Sequence, residues 1–69
     1  MLLPNEILGQ RIANYRKKRQ LTQAELATIT GIRPKHIGDI ERGKRVRVYT
    51  LARLAVGLGV TIDELVGIR

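Results

Sequence analysis

Two short helices and the glycine between them, Gln23 to Arg42 (QAELATITGIRPKHIGDIER), restrict what this chain can fold into more than any other stretch. The first helix, 23–30, has a start signal in Thr22-Gln23-Ala24-Glu25. The threonine hydroxyl can accept from a first-turn amide while Glu25 reaches back to the Thr22 amide. Its apolar face is Leu26, Ala27 and either Ile29 or Thr30, close to helical spacing. Gly31 supplies the positive φ at which a helix ends and turns sharply. The second helix opens on Pro34, whose fixed φ and missing N–H suit a first helical position. Ile37 and Ile40, three apart, put the buried stripe on one side, leaving Arg33, Lys35, Gly38, Asp39 and Arg42 facing out.

Helices flank this pair on both sides. Asn5 is the expected N-cap of a first helix over 5–18, with Glu6 in its first turn and Leu8, Ile12 and Tyr15 as its core stripe. The basic run Arg16–Arg19 sits at its C-terminal end, where cations complement the helix dipole. Leu21 then enters the core. Gly43 ends the second helix of the pair, expected over 34–42, and Lys44-Arg45-Val46-Arg47-Val48 is a basic connector. A fourth helix, 49–58, buries Leu51, Leu54, Ala55 and Leu58 and is closed by Gly59. Gly57 within it costs about 1 kcal/mol against alanine, for no reason visible in the sequence. Thr61-Ile62-Asp63-Glu64 is a second capping box and starts a last helix, 62–66, with Ile62 and Leu65 inward. The chain is expected to be one domain over 1–69, without strands.

Ala27, then Gly31 four residues later, then Ile37 and Ile40, make up the helix-turn-helix pattern. The small alanine lets two helices cross closely, and the isoleucines tie the second helix down while its opposite face stays free. The wider run, LGQRIANYRKKRQLTQAELATITGI followed by IGDIERGKR and LARLAVGLGVTIDEL, resembles the lambdoid phage repressor and Cro family of helix-turn-helix domains. The resemblance spans roughly Leu8 to Leu65. It implies an all-α, compact five-helix lambda-repressor-like fold and a transcriptional regulator, in most such cases a repressor, that binds double-stranded DNA as a dimer on a two-fold operator. Small domains of this kind also serve as antitoxins, with a toxin as protein partner, and as restriction–modification controllers.

Charge agrees with a polyanionic partner. The 69 residues carry a formal charge of +7. Arg11, Arg16, Lys17, Lys18 and Arg19 lie in the first segment, and Arg33, Lys35, Arg42, Lys44, Arg45 and Arg47 in and after the second helix of the pair. Only Glu25, Asp39 and Glu41 oppose them between positions 11 and 47. This charge is expected on the same side as the exposed face of the helix pair, where counterion release favours nucleic acid of any sequence.

Other classes of function find little support. There are no cysteines and no serines, and His36 is the single histidine, so neither a nucleophile–base pair nor a metal-ligand set is in view. Asp63 and Glu64 are adjacent and serve as first-turn anions. No enzyme activity and no cofactor are expected. The opening MLLPNEIL lacks the character of a signal peptide and no apolar run approaches ~18 residues, so a cytoplasmic location is expected.

Binding DNA needs residues that hold register on phosphate and residues that read bases. The resemblance assigns phosphate contacts to Gln23, at a helix N-terminus, and to Arg42, Lys44 and Arg47, with Lys17, Lys18 and Arg45 adding longer-range attraction. Base reading falls to Arg33, Pro34, Lys35, Gly38 and Asp39. Arg33 and Lys35 can donate to guanine O6 and N7, and Asp39 can accept from cytosine N4. Asp39 has a competing role, pairing with Lys35 or Arg42 on the helix surface. Pro34 can touch a thymine methyl but cannot hydrogen-bond a base, and Gly38 allows close approach. The resemblance further implies an ion pair between Arg16 and Glu41. It also places a weak dimer surface on the segment that runs from the connector through the last helix, where Val48, Val66 and Ile68 are the apolar candidates.

Overall fold

A computed structural model describes residues 4–67, and among them there are five helices and no strand: α1 (Asn5–Lys18), α2 (Gln23–Thr30), α3 (Pro34–Glu41), α4 (Val48–Leu58) and α5 (Ile62–Val66). Both capping boxes form. The Thr22 hydroxyl accepts from the Glu25 amide at 3.0 Å while the Glu25 carboxylate accepts from the Thr22 amide at 2.8 Å. Thr61 and Glu64 repeat the arrangement at 3.0 and 2.9 Å. Each box satisfies two amides that have no partner within the helix. Gly31 ends α2 at φ 73°, the left-handed conformation a side chain would resist.

Four local expectations are corrected. Pro4, not Asn5, is the N-cap of α1: its backbone is extended and its carbonyl accepts from the Leu8 amide, so Asn5 is already the first residue of the helix over the expected 5–18, and no side chain caps it. α3 stops at Glu41, with Arg42 as its C-cap, and α4 starts at Val48 rather than Tyr49. Ile62 is 38% exposed. With only five residues, α5 turns one position, Leu65, fully inward, and Val60, just before the cap, packs on the core instead.

The core joins all five helices through Leu8, Ile12, Leu26, Ile37, Ile40, Leu54, Leu58 and Leu65, with Ala27, Ile32, Leu51 and Ala55 around them. α2 resolves its ambiguity in favour of Thr30, which is buried, while Ile29 is exposed. The Thr30 hydroxyl donates to the Leu26 carbonyl at 2.7 Å and accepts from the Ile32 amide at 3.3 Å, so no polar atom is stranded there.

Two glycines set how closely the helices approach. A Cβ on Gly9 of α1 would fall on the Ile40 carbonyl oxygen and lie 2.9 Å from that of Glu41, so α1 rests directly on the C-terminal backbone of α3. Gly57 has the reason the sequence withheld. A Cβ there would meet the Thr30 methyl at 2.5 Å, where α4 crosses α2.

Next to the Gly9 crossing, Arg16 binds Glu41 through two parallel hydrogen bonds, Nε to Oε2 at 2.7 Å and Nη2 to Oε1 at 3.0 Å. Its third nitrogen donates to the Leu21 carbonyl at 2.8 Å. Gln23 Nε2 donates to the same Glu41 Oε1 at 2.9 Å. The Glu41 hydrogen bond raises the Arg16 pKa against the opposing effect of burial, and the Glu41 charge adds to the rise. One carboxylate therefore fixes the angle of α3 against both α1 and α2.

Two substitutions test this framework. Gly9→Ala gains helix propensity of about 1 kcal/mol but meets main-chain oxygens that cannot swing aside, so a net loss of roughly 1–3 kcal/mol is expected in urea melts. Arg16→Met leaves Glu41 nearly buried and without its cation, and the expected loss is about 3 kcal/mol. An Arg16→Met variant that melts with the parent would contradict the role given to the pair.

Candidate nucleic-acid interface

α3 is held by Ile37 and Ile40, which are 0% and 1% exposed, and this leaves its other side open. Arg33, Pro34 and Lys35, at and beside the helix start, are all exposed, as is His36. Arg33 is the N-cap, in extended conformation, and Pro34 is the first helical residue. These four side chains stand where the N-terminal part of a helix meets solvent, with two cations among them.

The other base-reading candidates are placed differently. Gly38, expected to face out, is buried. A Cβ on it would lie 3.4 Å from the Arg42 guanidinium and 3.5 Å from Gln23 Oε1, so these two side chains roof the glycine over. Asp39 is half-covered and engaged with three cations: Arg42 Nη2 at 2.6 Å, Lys35 Nζ at 3.5 Å and Lys44 Nζ at 4.0 Å. Both pairings weighed for it on the helix surface are present, with Lys44 in addition. Partial desolvation pushes the Asp39 carboxyl up, but the charge of Lys35, the hydrogen bond from Arg42 and the charges of Lys44 and Arg42 outweigh it and hold the carboxyl below its usual value.

Around this centre, Arg42, Lys44, Arg45 and Arg47 are exposed at the end of α3 and along the connector. The Lys44 amide donates to the Asp39 carbonyl at 3.0 Å, which fixes where the connector leaves the helix. Gln23 is half-buried, and its amide nitrogen is committed to Glu41, so only its oxygen is left toward the α3 face.

The basic charge does not lie on one face. Arg11 donates to the carbonyls of Leu65 and Glu64 at 2.8 and 2.5 Å, and Arg19 donates to that of Gly59 at 3.4 Å. Both arginines therefore close the C-terminal ends of α5 and α4, where the helix dipole favours a cation. Lys18 lies 5.7 Å from the centre of the Tyr15 ring, on the Arg11 flank of α1 and two residues, about 200° of helix, past Arg16. Lys17 is exposed between the two flanks. The sequence carried no sign of these capping roles, because the partners lie 40 to 54 residues away.

Among the dimer candidates, Val48 is 77% exposed at the start of α4, whereas Val66 packs partly on the core. Ile68 lies outside the described residues. The sequence also gave no warning of a second exposed set on α4, in which Arg53 lies 5.5 Å from the centre of the Tyr49 ring near the 82% exposed Val56. No helix among the described residues is long and apolar enough to cross a membrane.

Known proteins share this arrangement. A helix-turn-helix family model matches residues 12–65. The control protein C.SmaI of Serratia marcescens is 38% identical over 61 residues, covering 87% of this chain and 73% of that protein. The restriction-modification controller protein C.AhdI from Aeromonas hydrophila superposes with a TM-score of 0.86 at 31% identity, over 88% of this chain and 94% of that one. SinR, a master regulator for biofilm formation solved in complex with DNA, superposes with a TM-score of 0.80 at 30% identity, over 84% and 95% of the two chains. With the family pattern matched from α1 to α5 on a fold shared with a DNA-bound regulator, the chain belongs to the helix-turn-helix family of DNA-binding transcription regulators.

Proposed function

We propose that this protein is a cytoplasmic repressor that lays α3 in the major groove of double-stranded DNA and binds a two-fold operator as a weak dimer, without cofactor or catalysis. The observation that carries this is the division of α3 into a buried isoleucine side and an exposed side that starts with Arg33, Pro34 and Lys35. In this reading, Arg33 and Lys35 donate to guanine edges and Pro34 rests against a thymine methyl. Arg42, Lys44, Arg45 and Arg47 take phosphates on one side, and the N-terminus of α2 beside Gln23 takes one on the other. Gly38 reads no base: its contribution is to let Gln23 and Arg42 close over the helix. Lys17 and Lys18 act at longer range only. Val48 supplies the apolar contact to a second copy.

A narrower reading, a restriction–modification controller, is favoured by the likeness to C.SmaI and C.AhdI. Such a protein would use the same groove-binding helix on an operator of its own.

Retention of a random pool of duplexes, followed by sequencing, separates the outcomes. An inverted repeat with half-sites about one helical turn apart is expected. Lys44→Gln should lower the salt dependence of log K by about 1 per bound subunit without changing the enriched sequence. Val48→Glu should keep half-site binding and abolish the preference for paired half-sites. A chain that holds no duplex even at low salt would overturn the proposal.

A further inference from the structure

Glu41 is committed to Arg16 and Gln23, so Asp39 is the one acid on the outward side of α3. It stands among Lys35, Arg42 and Lys44, all of them cations that a bound duplex would draw outward. Its position is held from both sides. The helix sets it four residues after Lys35, and the Lys44 amide bonds its carbonyl. In free protein the carboxylate does for these cations what a phosphate does in a complex.

When DNA approaches, phosphates compete with Asp39 for Arg42 and Lys44. Every cation that leaves exposes the carboxylate to a groove whose edges are mostly acceptors: guanine N7 and O6, adenine N7 and thymine O4. The only donors there are the exocyclic amino groups of cytosine and adenine. A carboxylate pressed into the groove without a donor is a desolvated, unpaired charge, which is strongly unfavourable.

From this geometry, and resting on the DNA-binding reading above, we propose that Asp39 determines specificity by subtraction. It withholds Arg42, Lys35 and Lys44 from DNA in general, and it admits sequences that offer it a cytosine or adenine amino group in the major groove. Asp39 thereby lowers affinity for most duplexes while sparing the operator.

The test compares the parent chain with Asp39→Asn and Asp39→Glu, on a random-sequence duplex and in the pool selection. Asp39 lies at the C-terminal end of α3, where an anion opposes the helix dipole, so Asp39→Asn should fold, and Asp39→Glu keeps the parent's charge there; circular dichroism melts would confirm both. Three released surface pairs, each worth a few tenths of the total, should tighten Asp39→Asn on the random duplex by about tenfold. A third variant, Asp39→Ala, should lose the preference for cytosine or adenine at one position of its selected site, whereas asparagine can itself bond adenine N6 and N7. Asp39→Glu keeps the charge, and its random-duplex affinity should stay near that of the parent. The inference is overturned if Asp39→Asn binds the random duplex no tighter than the parent, if Asp39→Ala enriches the parent's site unchanged, or if Asp39→Glu tightens equally. Should the parent itself retain no duplex, the DNA-binding reading falls and this inference with it.

Discussion

The Glu41 carboxylate is the point on which the helix pair turns. It lies at the last residue of α3, takes two hydrogen bonds from α1 through Arg16 and a third from α2 through Gln23. Arg16 also holds the Leu21 carbonyl, so the loop between α1 and α2 is pinned by the same guanidinium. An ion pair this buried adds little net stability over a hydrophobic replacement, because desolvating both ions offsets most of their attraction. What it contributes is direction. Isoleucines at 37 and 40 will bury themselves over a range of helix rotations, whereas a two-pronged guanidinium accepts one.

The close contact at Gly9 belongs to the same device. Arg16 reaches Glu41 in parallel because α1 lies directly on the α3 main chain, and it lies there because position 9 has no side chain. Backbone proximity and charge pairing thus enforce one another over two turns of α1. At the other crossing, Gly57 and Thr30 bring α4 against α2, with the threonine hydroxyl turned back onto its own helix. The exposed side of α3 takes its orientation from these two crossings.

What could be read from the sequence was local. Thr22 with Glu25, Thr61 with Glu64, Gly31 and Pro34 all act within four residues, and each marks its helix boundary correctly. Asn5 misled because Pro4, with an extended ψ of 145° and a carbonyl that accepts from the Leu8 amide, already fills the cap position, which leaves Asn5 as the first helical residue. Gly38 misled because a missing side chain looks like open space, yet Gln23 and Arg42 fill that space. Gly9, Gly57, Arg11 and Arg19 were silent because the meaning of each depends on a partner from another helix. The Arg16–Glu41 pair, 25 residues apart, was legible only through family likeness.

Arg11 has one more consequence. It ties α1 to the carbonyls of Glu64 and Leu65, separated from it by more than fifty residues, and Tyr15 adds a third hydrogen bond to Glu64 at 3.4 Å. Most helical contacts close short loops, but this one closes nearly the whole described chain. During synthesis α1 leaves the ribosome ahead of α5, so the core of these five helices cannot be complete until α5 has emerged. Folding of this unit therefore waits on α5 and does not accrue helix by helix.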